Sequence, residues 1–391
     1  MQIAYIELDY HSECLNSFCV AFKNKQDNVE IYTLTSIYND LSYNEYITDF
    51  TWILCDEDRS SFLKNNIDAI NKNDVVLIGT MEKSITDFST IKFITPAILR
   101  VHSGNFYFNR KNSFCLPDTI LGIIDSIYFF LNNVVRKKEL KLLDRITKEI
   151  KNISFTPEVI SDNFKEILKH KQLNLVESIP LEVFEPGYNE TKNDTVFTIT
   201  IPGSVDINKR DYWTVVRALE KIKQQNHSLI EIYLLGKPVS YKGRQIVKMF
   251  QSLNSDTITV YTFNEEVPQT EFEKIMMRTN LIWCPVKSIR NVYFYKEQFG
   301  ITKISGGVSD VIRYGKYGLI PDFYPLPKNL ERIITRYTSS DDLAEKLLNL
   351  INHNFWLSSE DASSGLNDYT ADAVYHKTMK VFKDVVDKRK N

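Results

Sequence analysis

The sequence is poor in glycine and proline and carries no surplus of charge of either sign. Its 391 residues include 13 glycines and 12 prolines, so long unstructured linkers are not expected. Lysine and arginine number 48 against 50 aspartates and glutamates, which gives a formal net charge of -2. Because a nucleic-acid-binding protein usually has a basic surplus, the composition gives no support to that class.

Cysteine is scarce, and long apolar runs are missing. The five cysteines form no pair with the spacing of a metal site or a redox CxxC motif, which favours a reduced, cytoplasmic compartment. No basic segment followed by an apolar core opens the chain, so we predict no signal peptide. The most apolar helical stretch, residues 120–131, contains Asp125 and is too short to cross a bilayer. Peripheral attachment to the inner face of a membrane through a surface patch is compatible with this composition.

What the sequence does contain is a regular alternation of short apolar runs and helical patterns. In the first half, strands are predicted at residues 2–8, 29–35, 51–55, 75–79, 91–95, 98–101 and 173–179. Two helices are predicted between residues 117 and 150. The second half repeats the pattern, with strands predicted at 196–201, 229–235, 258–261 and 281–285 and helices between them. This alternation is typical of α/β domains with mostly parallel sheets.

A polar run that contains proline and glycine, residues 185–194, is the best domain boundary in the chain. We therefore predict a first α/β domain at residues 1–186, a linker at 187–194, a second α/β domain at 195–369 and a final helical segment at 370–391. Two such domains usually face each other across a cleft, and ligands bind beyond the carboxyl ends of the strands.

Two segments of the second half have the composition of an anion site. Residues 295–321 hold a carboxylate, Lys303 and the sequence Ser305-Gly306-Gly307 at the start of a predicted helix. The first amides of a helix lack intrahelical partners and the helix dipole favours negative charge, so this corner is suited to a phosphate. A second such turn runs from Gly203 to Lys209 and Arg210. These glycines could instead only permit tight turns, and the basic side chains could be solvated charges.

Three motifs of the second half resemble the nucleotide-binding domain of the GT-B glycosyltransferases, sugar transferases with two Rossmann-like domains. They are TIPGSV with NKRDY at residues 200–212, EIYLLG at 231–236, and EQFG with KISGG at 297–307. The resemblance covers roughly residues 195–351. It implies a GT-B fold with two Rossmann-like domains facing across a cleft, and a C-terminal helix that crosses back to the first domain.

The resemblance also implies which residues bind a nucleotide-sugar co-substrate. In the family, basic residues of these motifs contact the donor diphosphate, and the glutamate of the Glu-x-Phe-Gly segment contacts a sugar or ribose hydroxyl. The resemblance assigns the role of that glutamate to Glu297. Where the commonest retaining members carry a second glutamate this sequence has Ile304, and Ser309 and Asp310 are the nearest substitutes. The predicted donor-binding residues are Gly203, Lys209, Arg210, Glu297, Lys303, Ser305, Gly306, Gly307, Ser309 and Asp310.

Candidate catalytic residues lie in the first half. His11 and His102 each follow a predicted strand, and an imidazole can act as a general base or orient a sugar. Either histidine could also be structural. Asp9 and Glu13, which flank His11, are alternative bases. No DxD motif and no metal-ligand spacing appears, so we predict a metal-independent enzyme without a resident cofactor.

These observations predict a glycosyltransferase that moves a sugar from a nucleotide sugar to a glycan or lipid-linked acceptor, and the resemblance implies bacterial surface-polysaccharide synthesis. Two alternatives remain open at this point. One is a sugar-nucleotide epimerase on the same scaffold, which would need catalytic carboxylates from both domains. The other is a non-catalytic module that binds a nucleotide sugar or a partner enzyme.

Overall fold

A computed structural model describes residues 1–110, 113–115, 120–129, 131, 139–156, 158–185, 196–292, 294–353 and 364–390. It contains two parallel β-sheets, each flanked by helices, and one short antiparallel hairpin. The predicted linker, residues 187–194, lies outside the described residues, so the position of the domain boundary stays a prediction.

The first sheet has seven parallel strands in the order β3-β2-β1-β4-β5-β6-β7. Its strands are β1 (Gln2–Glu7), β2 (Asn28–Leu34), β3 (Thr51–Cys55), β4 (Val75–Thr80), β5 (Ala97–Val101), β6 (Asn152–Phe155) and β7 (Asn174–Leu175). The helices of this half are α1 (Ser12–Phe22), α2 (Thr35–Leu41), α3 (Arg59–Ile70), α4 (Ile85–Phe88), α5 (Gly104–Phe108), α6 (Ile120–Phe129), α7 (Glu139–Ile150), α8 (Glu158–Asp162) and α9 (Lys165–His170).

The second sheet has six parallel strands in the order β10-β9-β8-β11-β14-β15, and the antiparallel hairpin β12-β13 follows β11 in the chain. Its strands are β8 (Val196–Pro202), β9 (Leu229–Leu235), β10 (Ile258–Thr262), β11 (Leu281–Trp283), β14 (Tyr317–Pro321) and β15 (Ile334–Tyr337). The hairpin is β12 (Ile289–Val292) with β13 (Tyr295–Gln298). The helices are α10 (Tyr212–Gln225), α11 (Tyr241–Gln251), α12 (Gln269–Arg278), α13 (Gly306–Tyr314), α14 (Ser340–Asn352) and α15 (Ala371–Lys390).

Strand β1 shows why the buried strands appear in the sequence as continuous apolar runs. Ala4 and Ile6 belong to the core cluster on one face of the sheet, which includes α3 and α7. Ile3 and Tyr5 belong to the cluster on the other face, with α1 and α15. Because helices cover both faces of a parallel sheet, both sets of alternating side chains must be apolar. The predicted α/β class with two Rossmann-like sheets is confirmed.

The C-terminal helix returns to the first domain, as the resemblance implied. Phe382 and Val385 of α15 are buried in the same cluster as Leu15 and Phe18 of α1. The amide of Phe184 also donates to the carbonyl of Tyr369 at 2.7 Å, which fixes the chain where it crosses back.

Two predicted strands differ from the structure. Residues 91–95 form no strand. The side-chain oxygen of Asn71 accepts hydrogen bonds from the amides of Ile94 and Thr95, so these amides do not pair with a neighbouring strand. Residues 173–179 contribute only the two-residue edge strand β7. Strand β6 and the hairpin β12-β13 were not predicted, because both are short and the hairpin is polar.

Candidate functional site

A cavity of about 620 Å³ lies between the two domains, and both contribute its walls. The first domain supplies residues that follow β1 and β5, and the second supplies the turn after β8 and the start of α13. This is the edge at which ligands bind in open parallel sheets. Eleven of the predicted site residues line it: His11, Glu13, His102, Gly203, Lys209, Arg210, Lys303, Ser305, Gly306, Ser309 and Asp310. We call it the interdomain cavity.

The turn after β8 requires a glycine, Gly203, and is stabilised by hydrogen bonds from Arg210. Gly203 has a φ of +86°, a conformation that residues with a side chain rarely adopt. The guanidinium of Arg210 donates to the carbonyls of Pro202 and Ser204 on either side of it. A Cβ on Gly236 would lie 2.5 Å from the carbonyl carbon of Gly203, so both positions need glycine for close backbone approach. Arg210 therefore shapes the turn as well as carrying charge.

Positive charge is concentrated on the second-domain wall of the cavity. Lys209, Arg210 and Lys303 line it together with Arg290 of β12, a residue that the sequence motifs did not indicate. Burial lowers the pKa of Lys209 to about 8, and the charges of Arg290, Arg210 and Lys303 add to this against the opposing effect of Asp206. An anion bound in the cavity would offset the repulsion among these cations and favour the charged form of Lys209.

The start of α13 adds main-chain donors to this wall. Ser305 is the N-cap residue, and its amide donates to the hydroxyl of Tyr324 at 3.2 Å. The first amides that donate within the helix are those of Val308 and Ser309. The amides of Gly306 and Gly307 come before these two in the chain. A side chain on Gly306 would meet open space, whereas one on Gly307 would meet the sulfur of Cys284. Gly306 thus borders the cavity and Gly307 packs against the end of β11.

Carboxylates gather deeper along α13. Asp310 lies 3.1 Å from the guanidinium of Arg313, and the hydroxyl of Ser309 donates to Glu182 at 2.5 Å. Burial raises the pKa of Asp310 to about 6, with the charges of Glu13 and Glu182 adding to the rise and Arg313 and Arg210 opposing it. Glu182 was not predicted. It also lines the cavity and is fully buried, and burial raises its pKa.

The two predicted histidines stack on each other, with ring centroids 4.4 Å apart. Nε2 of His102 lies 3.1 Å from the carbonyl of Gly79, which can only accept, so this nitrogen carries the proton and Nδ1 has a free lone pair. Burial lowers the pKa of His102 well below 6.5, and the charges of His11, Arg100 and Lys303 lower it further. His102 is therefore a neutral imidazole whose Nδ1 can accept a hydrogen bond.

His11 carries the opposite charge state. Burial lowers its pKa, but hydrogen bonds to Cys14 and Glu13 outweigh burial and raise it well above 6.5. Its Nδ1 lies 2.6 Å from the carboxylate of Glu13. The donor atoms of His11, Glu13 and Cys14 all lie within 4.8 Å of one another, which is close enough to hold a metal ion. The ion pair accounts for the geometry by itself, and metal independence stays a prediction.

Three predicted site residues, Gly307, Asp9 and Glu297, are not among the described residues that line the cavity. A carboxylate oxygen of Asp9 accepts from the amide of Lys83 at 2.8 Å. Both oxygens of Glu297 are also occupied, one by the amide of Phe106 at 2.9 Å and the other by the hydroxyl of Thr302 at 2.6 Å. The geometry therefore gives no support to contact between Glu297 and a donor hydroxyl, and the catalytic role of Asp9 stays a prediction.

Glu297 instead ties the hairpin to the first domain. Phe106 is in α5, and the neighbouring amide of Gly104 donates to the carbonyl of Thr302 at 2.8 Å. Lys303 continues this junction, since its ammonium donates to the hydroxyl of Ser103 at 2.5 Å. Burial raises the pKa of Glu297 to about 7, although the bonds to Thr302 and Phe106 oppose the rise. The segment 297–303 is thus a bridge between the domains beside the cavity.

Comparison with known proteins supports the fold assignment. No family model matches the sequence, and no curated protein matches it at a significant level. Among solved structures, the chain is similar to Anabaena Alr3699/HepE in complex with UDP, with a TM-score of 0.59 over 98% of this chain and 100% of that chain at 9% identity. It is also similar to AviGT4, a glycosyltransferase involved in avilamycin A biosynthesis, with a TM-score of 0.58 over 98% of both chains at 8% identity. The chain has the GT-B fold.

A third similar structure shows that the GT-B fold alone does not identify the reaction. The N-terminal domain of Candida albicans trehalose-6-phosphate phosphatase matches with a TM-score of 0.55 over 98% of this chain and 96% of that chain, at 10% identity. Because proteins with different names share this architecture, the activity has to be argued from the residues of the cavity.

Proposed function

We propose that the protein is a glycosyltransferase that transfers a sugar from a nucleoside-diphosphate sugar to a glycan or lipid-linked acceptor in bacterial surface-polysaccharide synthesis. One observation carries this proposal. Four cationic side chains and the start of α13 meet on one wall of an interdomain cavity, and the neutral His102 stands on the wall of the other domain. Complexes of the similar HepE with UDP, and with UDP and glucose, agree with a nucleoside-diphosphate donor.

The cationic wall accounts for the departure of the leaving group. In the transfer, the bond between the anomeric carbon and the diphosphate oxygen breaks while the acceptor oxygen bonds to that carbon. Negative charge then grows on the diphosphate. Lys209, Arg290 and Lys303, with the amide of Gly306, are placed to stabilise that charge in a partly water-excluded site. A resident metal ion is not required by this arrangement.

The carboxylates of the cavity supply its sugar-binding groups. Asp310, Glu182 and Glu13 line it, and a carboxylate accepts hydrogen bonds from sugar hydroxyls. Arg313, which lies 3.1 Å from Asp310, also lines the cavity. The cavity therefore combines cationic groups suited to a diphosphate with carboxylates suited to the hydroxyls of a sugar.

His102 is the best-placed group to receive the proton of the acceptor hydroxyl or to orient the donor sugar. The carbonyl of Gly79 fixes the tautomer in which Nδ1 accepts, and the low pKa keeps this nitrogen unprotonated at neutral pH. His11 and Glu13 form the ion pair beneath it, and the positive charge of His11 is one cause of the low pKa of His102.

A thermal-shift panel of UDP-, GDP-, dTDP- and CMP-sugars tests the donor class. A sugar nucleotide that binds the cavity raises the melting temperature by mass action, and Lys303→Met should reduce that rise. Lys242→Met is the matched control, because this exposed lysine lies on α11 away from the cavity. Flat melting curves across the panel would contradict the proposal.

Transfer itself is measured with the donor that the panel selects and with glycan and lipid-linked acceptors. Loss of transfer in the Lys303→Met protein with its fold intact supports the proposal. Binding of the donor without transfer to any acceptor would favour a non-catalytic module, and interconversion of the donor sugar would favour an epimerase.

A further inference from the structure

A second cavity, of about 640 Å³, lies against α13 on the side away from the interdomain cavity. Its walls come from α8 and Pro180 of the first domain, from α13 and residues 324–327 of the second, and from the start of α15, where the chain crosses back. Cavities that bind small molecules have volumes of roughly 300–1,000 Å³ and occur preferentially at domain interfaces. The second cavity therefore has the size and the position of a ligand site.

Helix α13 separates the two cavities. Val308 and Ile312 are four residues apart, so they share one face of the helix, and both line the second cavity. Ser309 and Asp310 line the interdomain cavity instead. Glu182 lines both cavities and is 1% exposed, so the two adjoin at this residue. A ligand on one side of α13 therefore leaves the other side free for a second one.

The apolar wall of the second cavity is fixed by its own contacts. Residues 324–327 read Tyr-Pro-Leu-Pro, and each proline restricts its backbone to one φ. The hydroxyl of Tyr324 accepts a hydrogen bond from the amide of Ser305 at 3.2 Å. A Cβ on Gly300 would lie 2.5 Å from Cδ of Pro325, so this loop also packs against the segment 297–303 that joins the domains. Walls that are already ordered lower the entropic cost of binding a ligand.

The charge of the lining indicates which ligand fits. Among the described residues that line the second cavity, Lys377 is a cation and four are carboxylates, Glu158, Asp162, Glu182 and Asp368. Lys165 pairs with Asp162 at 2.5 Å, and the other three carboxylates still outnumber Lys377. Glu158 and Asp368 are exposed, so they stand where the cavity meets solvent. This excess of negative charge repels an anion and attracts a cation.

We propose that the second cavity binds an apolar small molecule that carries one positive charge, with its apolar part against α13 and residues 324–327 and its cationic group toward the exposed carboxylates. Burial of the apolar part supplies most of the affinity. Because an exposed ion pair contributes little free energy, the carboxylates mainly select the sign of the charge. The site does not depend on the proposed transferase activity, since none of the basic residues of the cationic wall lines it.

Three fluorescent probes with the same apolar body test the selection of charge. They are 1,6-diphenylhexatriene, which is neutral, its cationic trimethylammonium derivative and its anionic propionic acid derivative, and all three brighten when they leave water. The wild type should bind one probe per chain, the cation most tightly and the anion least. Glu158→Gln with Asp368→Asn should weaken binding of the cation about fivefold and leave the neutral probe unchanged. Asp256→Asn with Glu345→Gln is the matched control, because these exposed carboxylates do not line the cavity, and it should bind all three probes as the wild type does.

A cavity-filling variant locates the bound probe. Ala373 is half-buried in the wall, and Ala373→Trp should weaken binding of the cation and of the neutral probe about tenfold, because the indole takes up space that the probe would fill. Thermal unfolding without probe reports whether this variant folds, and the paired Gln and Asn substitutions at exposed positions decide the question if it does not.

Four outcomes would overturn the proposal. They are no binding of any probe, equal affinity for the cation and the anion, unchanged affinity in a folded Ala373→Trp protein, and displacement of the probe by a nucleotide sugar, which would place the probe in the interdomain cavity. Probe binding that persists while no nucleotide sugar shifts the melting temperature would support the second site and count against the proposed transferase alone.

Discussion

Binding of a nucleotide sugar should draw a proton onto Lys209. In the free protein, burial and the neighbouring cations lower the pKa of Lys209 to about 8, so about half of the molecules carry a neutral Lys209 at pH 8. A diphosphate in the cavity would neutralise the repulsion from Arg290, Arg210 and Lys303 and favour the ammonium form. The pKa of Lys209 should then rise toward its ordinary value of 10.5.

The size of the effect follows from the two pKa values. If the bound state reaches 10.5, binding at pH 8 takes up about 0.5 proton per molecule, and affinity falls about fivefold between pH 8 and pH 9 but less than twofold between pH 7 and pH 8. In the free protein, Lys209 lowers the free energy of unfolding, whereas a lysine that gains a partner on folding raises it. The folded pKa of Lys209 lies below its unfolded pKa, so Lys209 destabilises the fold at neutral pH, and this cost disappears as the pH rises from about 8 to 10.5.

Isothermal titration calorimetry at pH 8 in two buffers with different ionisation enthalpies measures the uptake directly. The donor is the nucleotide sugar with the largest thermal shift, whose diphosphate does not titrate near neutral pH. Lys209→Met should abolish the uptake and flatten the dependence of affinity on pH, whereas Lys242→Met should preserve both. Equal proton uptake by the wild type and the Lys209→Met protein would refute this account of the cationic wall.

Four further results are expected. Glu297→Ala should lower the unfolding free energy by about 1–3 kcal/mol in chemical denaturation without weakening nucleotide-sugar binding, because it leaves two donors of the domain bridge unpaired. Gly315→Ala should cost about 1–3 kcal/mol by the same measurement, since Gly315 has a φ of +59° and its Cβ would collide with the ring of Phe184, whereas Gly306→Ala should leave stability nearly unchanged and weaken donor binding. His102→Ala should lower the turnover number about 100-fold or more with little change in donor affinity, measured by transfer kinetics and thermal shift together. Transfer should continue in excess EDTA, and a loss that Zn²⁺ or Mn²⁺ reverses would instead point to His11, Glu13 and Cys14 as a metal site.

The fold could be predicted because its strongest signals are local. A strand with both faces buried needs apolar residues at every position. The helical patterns at residues 212–225 and 269–279 predict α10 and α12 with bounds that agree with the structure to within one residue. The two predicted strands that differ from the structure are residues 91–95 and 173–179. Residues 91–95 are apolar enough for a strand, but the side chain of Asn71 binds the amides of Ile94 and Thr95. Such a contact joins residues more than twenty positions apart and leaves no pattern in the sequence.

The cationic wall of the cavity could be predicted for the same reason. A glycine that needs a positive φ, a helix start and the basic residues beside them lie within a few positions of one another in both segments, so the motifs at 203–210 and 303–307 include most of the cationic wall. Arg290 was missed because it stands on a short polar hairpin with no glycine or helix start beside it. The pairing of β12 with β13 brings it to the cavity, and this pairing is visible only in the folded chain.

The carboxylates of the cavity are less well predicted from motifs. Glu297 has the right neighbours in sequence for a sugar-binding residue, but its partners Phe106 and Thr302 hold it in the bridge between the domains, at 0% exposure. Glu182 has no motif around it, yet Ser309 binds it at the cavity wall. A hydroxyl-binding carboxylate needs only one side chain in the right place, and the sequence around it is unconstrained. The carboxylates that line the cavity, Glu13, Glu182 and Asp310, are far apart in the chain, so the fold rather than any local pattern decides which carboxylate faces the cavity.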